Sequence, residues 1–236
     1  FEHYSFIMRY SDDEGDRAQA RFNLAAKSYQ DPFMRDTALA YMLEARALYE
    51  QANDQMKVSM STVGIANIYR EDEEYEKAIE EYENALAMGT STSGRVVCYE
   101  YLGFIATKQK RFDDALYFYG EALKYDVDQK DKRKVYISTK LGLAYLELGQ
   151  NERGLALCDS MLTLVLNNDR LAGYDRATHL TDCYDCLARA LFNLERFRAA
   201  QENRNLRDSA EEAYQSIARE RQSKLNLELF QYEDLR

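Results

Sequence analysis

The chain has no tryptophan, one proline (Pro32), two histidines (His3 and His179) and ten glycines in 236 residues. Each shortage excludes something. Sheet proteins need frequent turn residues, so a chain with so little Gly and Pro punctuation reads as helical. Two histidines in separate segments assemble neither a Ser/His/Asp nor a Cys/His constellation. A phosphate-cradling loop is missing too, since "MGTSTSG" (88–94) has neither the lysine nor the spacing. No run approaches the roughly 18–20 apolar residues of a membrane span, and nothing resembles a signal peptide. Residue 1 is Phe and not Met, so the sequence is expected to be a piece of a longer protein.

What is present is 46% hydrophobic and 31% charged residues, the balance of an ordered chain, with nineteen tyrosines to build its interior. The net charge of −10 opposes a phosphate backbone, so no direct nucleic-acid partner is expected. The densest basic cluster, "KDKRK" (130–134), is expected in a solvated loop. The many carboxylates are expected on solvated helix faces, in i,i+4 pairs such as Glu73 with Lys77. All-α is the fold class these features predict.

In "YREDEEYEKAIEEYENAL" (69–86), Tyr75, Ala78, Ile79, Tyr82, Ala85 and Leu86 fall three and four apart, on one helical face. The stripe recurs. Ala115, Tyr119 and Ala122 repeat the order of Ala78, Tyr82 and Ala85; Ala38, Met42 and Ala45 precede them; Gly154, Cys158 and Met161 follow. A weaker copy surrounds Phe197 and Ala200. Each copy is preceded by a second helical pattern with a small residue mid-helix: Ala26 with Tyr29, Ala66 with Tyr69, Gly103 with Ala106, Gly142 with Tyr145, and Ala188 with Leu191. The unit is helix A, tight turn, helix B.

This pattern resembles the tetratricopeptide repeat (TPR), whose helix A carries a small residue and a tyrosine and whose helix B carries alanine, aromatic, alanine. Small residues let the two helices approach, and aromatics fill the remaining space. The resemblance runs from about residue 14 to about residue 207. It implies a right-handed superhelical solenoid of about five helix–turn–helix repeats, a single domain over 1–236. The repeats fall at about 14–50, 58–92, 96–129, 135–168 and 178–207, followed by a capping or linker helix over 208–236 with Ser209 as its N-cap. The first small residues of helix B are 40, 37, 39 and 46 apart, longer than the ordinary period of about 34. The surplus is expected in the linkers "GTSTSGR", "DVDQKDKRK" and "NNDRLAGYDRA", and the proline that usually follows helix B is missing. Residues 1–10 read as the stub of an earlier helix B.

Cys98 and Cys158 fall on or beside packing positions and read as small core residues. Cys183 and Cys186 form C-x-x-C, but inside a helix A, without the two further ligands zinc needs or the preceding strand of a redox motif. They too read as structural; no disulfide framework is legible, and no metal or cofactor is expected.

The resemblance implies a non-enzymatic protein- or peptide-binding scaffold in which the A helices line a concave groove. Carried over copy by copy, the groove candidates are Asn67 and Arg70; Glu100, Tyr101, Phe104 and Lys108; Tyr136, Lys140 and Leu143; Asp185 and Arg189. Asn23, Lys27, Met60, Leu146 and Asp182 stand on the same faces. The lysine, arginine and asparagine set with which some TPR proteins grip a C-terminal carboxylate is not reproduced, so a peptide with apolar anchors fits better. The segment from Asp208 and Ser209 through Leu225 to Gln231, Tyr232 and Glu233 is similar to the end of TPR sensor regions in bacterial signalling proteins of the Bacteroidetes type. That likeness implies a periplasmic sensor region; the alternative is a free-standing cytoplasmic adaptor.

Overall fold

The computed structural model describes residues 2–125, 131–168, 171 and 173–233. Among these there are eleven helices and no strand: α1 (Glu2–Tyr10), α2 (Glu14–Ser28), α3 (Arg35–Gln51), α4 (Gln55–Glu71), α5 (Tyr75–Ala87), α6 (Thr92–Lys108), α7 (Phe112–Tyr125), α8 (Asp131–Glu147), α9 (Asn151–Leu166), α10 (Gly173–Asn193) and α11 (Phe197–Glu233). Helices α2, α4, α6, α8 and α10 occupy the A positions and α3, α5, α7, α9 and α11 the B positions. The helices group into two compact units. The first runs from the N-terminus to Arg111 and takes in the last turn of α7; the second holds the rest of α7 and α8–α11.

Three segments expected as loops are partly helical, one of them "NNDRLAGYDRA", in which α10 starts at Gly173. In "GTSTSGR", α6 starts at Thr92, because the Ser91 side chain caps it by accepting from the Gly94 N–H. In the basic run, α8 starts at Asp131, so Lys132, Arg133 and Lys134 lie on a helix; Lys130 is outside the described residues. Lysine and arginine are good helix formers once their charges reach water, and Lys132 ion-pairs with Asp175 of α10.

Five three-residue turns share one geometry. Their central residues, Asn53, Glu73, Lys110, Gly149 and Glu195, all have positive φ, between 54° and 73°. In each, the central N–H returns to the carbonyl three residues back and the next N–H to the carbonyl five back, as in Glu73 to Arg70 and Glu74 to Tyr69. This is the hydrogen-bond pattern that ends a helix on a left-handed residue. Only one of the five positions has the residue that adopts this conformation without cost. Glu73→Gly, Lys110→Gly and Glu195→Gly are each expected to raise stability by about 0.5–1 kcal/mol, and Gly149→Ala to lower it by about 1 kcal/mol. Urea denaturation of the four variants checks the signs. The turn also explains an ion pair the sequence misassigned: with Glu73 in the left-handed turn, Lys77 pairs with Glu74, 2.5 Å away.

The B-helix stripe forms the interior. Ala38, Met42 and Ala45, Ala78, Tyr82 and Ala85, and Ala115, Tyr119 and Ala122 are all buried. A buried side chain as large as Met42 contributes about 1.5–3 kcal/mol of apolar burial. The first unit's A and B helices meet through small residues: a Cβ on Gly64 of α4 would lie 2.6 Å from Met42 Cε of α3. In the second unit the backbone of α8 itself lies against α9, with the carbonyl oxygen of Gly142 2.9 Å from where a Cβ on Gly154 would stand.

Not every carboxylate coats the outside. Arg46 of α3 donates two hydrogen bonds to Glu81 of α5, at 3.0 and 3.2 Å, tying successive B helices together. Arg35 closes helix ends, donating to the Tyr29 and Glu71 carbonyls at 3.1 Å and pairing with Asp72 at 2.6 Å.

The cysteines divide differently from the sequence reading. Cys158 of α9 and Cys186 of α10 form a disulfide, Cα–Cα 6.1 Å, across 28 residues of chain. The sequence suggested no framework because the bonded partners come from different repeats and only one belongs to the C-x-x-C. Cys98 and Cys183 are unbonded and buried. Burial pushes the Cys98 thiol up to about 12 and the Cys183 thiol up to about 11, so neither is reactive.

The expected new helix at Asp208 is absent. From Phe197 to Glu233 there is neither glycine nor proline, and α11 runs unbroken. Ser209 is no N-cap; its hydroxyl donates back to the Asn205 carbonyl inside the helix.

Candidate functional site

In the first unit the A-helix face holds a groove of about 400 Å³. Phe22, Ala26 and Tyr29 of α2 form one wall, Met60, Val63, Gly64 and Asn67 of α4 the other, and Thr90, Ser91 and Ser93 close it at the start of α6. A smaller pocket continues along the same two helices, between Gln19 and Phe22 on one side and Lys57 and Met60 on the other. These positions recur three and four apart on α2 and α4, so a strip with Phe22 and Met60 near its middle and Gln19, Lys57 and Asn67 towards its ends runs along the two helices.

Asn67 lines this groove, as expected from its place on helix A. Its Oδ1 accepts from the Tyr82 hydroxyl at 2.6 Å. The positive charge of Arg70 acts on Tyr82 against the effect of its burial, and Arg70 ion-pairs with Glu71 at 2.7 Å. The Tyr82 hydroxyl is the donor in this pair and the Asn67 amide oxygen the acceptor. Burial raises the Tyr82 phenol well above its ordinary pKa, which keeps that proton in place.

Arg70, Tyr101 and Phe104 are brought together, but against each other. The Arg70 guanidinium lies 4.1 Å from the Tyr101 ring centroid and 5.8 Å from that of Phe104. Tyr101 also stacks on Tyr82, with ring centroids 5.9 Å apart. These residues join α4, α5 and α6, so truncating the two aromatics removes packing between repeats. Lys108 sits over Phe104 at 5.4 Å, and Glu100 is buried, with 7% exposure, so neither stands in the groove's wall.

In the second unit the candidate charges are paired between neighbouring helices. Lys140 of α8 contacts Asp182 of α10 at 3.4 Å and sits over the Tyr136 ring at 5.2 Å. Arg189 pairs with Glu147, and Asp185 with Arg207 at 3.3 Å. Leu143 packs on the core around Leu146, Cys158 and Cys186. These residues form a ladder between α8, α10 and α11 rather than an apolar cavity.

His179 is buried on this ladder, with Nδ1 lacking a hydrogen-bond partner. Burial lowers its pKa, Asp182 and Asp175 oppose the shift, and Lys132 adds to it. With the folded pKa below the unfolded one, the neutral ring stabilises the fold above about pH 6.5, and that stability is lost as pH falls through the folded pKa. The melting temperature of the wild type is therefore expected to drop more between pH 7.5 and 5.5 than that of His179→Gln. Equal drops contradict the assignment.

Sequence reasoning missed Phe22, Val63, Thr90 and Ser93. On α2 it favoured Asn23 and Lys27, one position around the helix from the residues that line the groove; Asn23 accepts from Gln19 at 3.1 Å and Lys27 lies over Tyr4 at 4.9 Å. The strip Gln19, Phe22, Ala26 and Tyr29 carries helical spacing, which was the available signal. No group of three or more His, Cys, Asp or Glu among the described residues is arranged to hold a metal. No described helix is long and apolar enough to cross a membrane.

An all-α array of paired helices, four of the five pairs joined by a left-handed turn and with small residues where α3 meets α4 and α8 meets α9, defines a class of helical-repeat protein. Within that class the chain has the tetratricopeptide-repeat fold, and residues 57–126, covering α4–α7, match the family described as the tetratricopeptide repeat. No curated protein matches the sequence. Among solved structures it is similar to the nearly identical TPR-like repeats of a Podosopora anserina protein described as a kinesin light chain: TM-score 0.66, 15% identity, covering 85% of this chain and 97% of that one. YrrB, described as a TPR protein with an unusual peptide-binding site, aligns with TM-score 0.57 and 16% identity over 92% of this chain and 96% of its own. The apo form of the quorum sensor NprR from B. thuringiensis aligns with TM-score 0.59 and 17% identity over 82% of this chain and 65% of that longer one.

Proposed function

We propose that the chain is a non-enzymatic scaffold that binds a protein or peptide through its A-helix face. The observation that carries this is the groove of about 400 Å³ between α2, α4 and the start of α6, a concave apolar site with a few placed polar groups. The description of YrrB as a peptide-binding TPR protein supports the reading. The expected result of panning a displayed library of random twelve-residue peptides on the whole immobilised chain is enrichment of sequences that compete for one site. A library that yields no competing binder sinks the scaffold reading.

The finer reading is the sensor region of a bacterial regulator rather than a cytoplasmic adaptor. The buried Cys158–Cys186 disulfide supports it, because such bonds persist in oxidising compartments and are rare in the cytosol. The unbroken α11 offers a rigid element along which ligand state is passed to an output. Lysing cells directly into denaturant with excess maleimide tests the compartment: Cys158 and Cys186 are expected to be unlabelled, and labelling of both favours the adaptor.

A further inference from the structure

A second surface lies open at the α10–α11 end of the second unit, and its meaning comes from how one repeat is held to the next. Two positions make that contact: one on helix A, three residues before the left-handed turn, and one on helix B, nine residues after it. In the α4–α5 pair they are Arg70 and Tyr82. Both meet Tyr101 of α6, the guanidinium 4.1 Å and the Tyr82 ring 5.9 Å from its centroid. In the α8–α9 pair they are Leu146 and Cys158. Leu146 packs with Leu187 and Ala190 of α10, and Cys158 is bonded to Cys186. In the α10–α11 pair the same two positions hold Phe192 and Arg204, and no further repeat follows among the described helices. They meet each other instead, with Arg204 5.1 Å from the Phe192 ring centroid. Phe197, at the start of α11, sets a second ring edge-on to Phe192, centroids 5.4 Å apart. The two rings are 48% and 57% exposed.

A helical solenoid stays soluble by ending on a repeat whose outer face is polar. Two aromatic rings at that place call for a cover. The described chain does not supply one. The segment from Asp208, expected to seal the last repeat, continues α11 instead and carries the chain ~44 Å beyond Arg204 at the rise of a helix. The rim of the face is self-complementary. A shallow hollow beside Phe197 is lined by Glu195, Arg196, Arg198 and Glu202, and Arg198 and Glu202 both reach well into solvent. A twofold axis can set such a patch against its own image with acids opposite bases. We propose that two copies of this chain associate through this face, in the place an additional repeat would take. The Phe192–Phe197 pair of one copy packs on that of the other. At the rim, Arg198 and Glu202 of each copy face Glu202 and Arg198 of the other. This dimer is independent of the scaffold function. Where both hold, each assembly carries two grooves and grips a partner with two binding segments more tightly than one chain does.

Sedimentation velocity of the whole chain over a wide range of concentration is the test. A reversible shift from the 27.5 kDa monomer to a dimer is expected as concentration rises. Phe192→Ser combined with Phe197→Ser should weaken the association about tenfold or more, since two rings per copy leave the contact. A pair of surface variants keeps the test independent of any effect on folding. Arg198→Glu and Glu202→Arg should each weaken association about threefold, through like charges across the axis. An equimolar mixture of those two variants should associate as well as wild type, because one then offers only acids and the other only bases. A role for the pair confined to α11 itself would not be rescued by mixing. A chain that stays monomeric overturns the proposal and leaves the face to a different protein. A dimer indifferent to the double serine variant overturns it too, as does one whose charge variants are not restored by mixing. Dissociation by Met60→Glu alone would place the contact in the groove and is equally fatal to it.

Discussion

Gly154→Ala is expected to lower the stability of the second unit by about 3 kcal/mol, the upper end of what overpacking costs. The other copies of the repeat carry alanine at this position, as in Ala38, Ala78, Ala115 and Ala200, and all four are buried. At Gly154 the added methyl carbon would meet the Gly142 carbonyl oxygen at 2.9 Å and Leu146 Cγ at 2.9 Å. Leu146 is a side chain and can turn aside; the carbonyl belongs to the backbone of α8 and moves only with the helix. Gly142 is constrained from the other direction, because its Cβ would stand 2.6 Å from Cys158 Sγ and 3.3 Å from Cys186 Sγ. The two glycines and the disulfide are thus one packing unit. Gly120 of α7 is the control: nothing lies within 4 Å of its would-be Cβ, so Gly120→Ala should stabilise by about 0.5–1 kcal/mol through helix propensity. Chemical denaturation of the two variants should give opposite signs. A Gly154→Ala protein as stable as wild type would contradict the close approach of α8 and α9.

Loss of the Cys158–Cys186 bond is the second large effect. A cross-link closing a loop of 28 residues restricts the unfolded chain by about 3.5 kcal/mol on the chain-entropy account. Removing it without changing any side chain requires only a dithiol reductant. The denaturation midpoint is expected to fall in reductant, and the double variant Cys158→Ala with Cys186→Ala should show no further dependence on it. Cys98→Ala should keep the wild-type dependence, since that thiol is unbonded. A midpoint unchanged by reductant would mean the two sulfurs merely pack.

The helix pairs were legible because the same physical demand recurs: a small, large, small stripe is needed wherever two helices must touch, and Ala78, Tyr82 and Ala85 state it plainly. The turns were less legible. Four of the five three-residue turns centre on Asn, Glu or Lys, so the glycine signal that marks such turns appears only at Gly149 and, in the longer α5–α6 connection, at Gly89. The disulfide was hidden because its halves are brought together by stacking α9 on α10, which no local spacing encodes. Among the candidate residues, helical periodicity placed Asn67 and Met60 on the face that lines the groove. The same periodicity says nothing about whether a charge on that face meets a ligand or the next helix. Arg70, Lys140, Asp185 and Arg189 each found an intramolecular partner, and the apolar Phe22, which looks like ordinary core, lines the open groove opposite Met60.

The central claim is that ligand meets the A-helix face of the first unit and not the glutamate-rich outer side of α5. Methyl NMR of the protein labelled at its seven methionines reads this directly when a library-selected peptide is titrated in. Met60 and Met42, which line the groove, are expected to shift, and Met161, in the core of the second unit, is expected to stay. Saturable binding that leaves Met60 and Met42 unmoved would contradict the account.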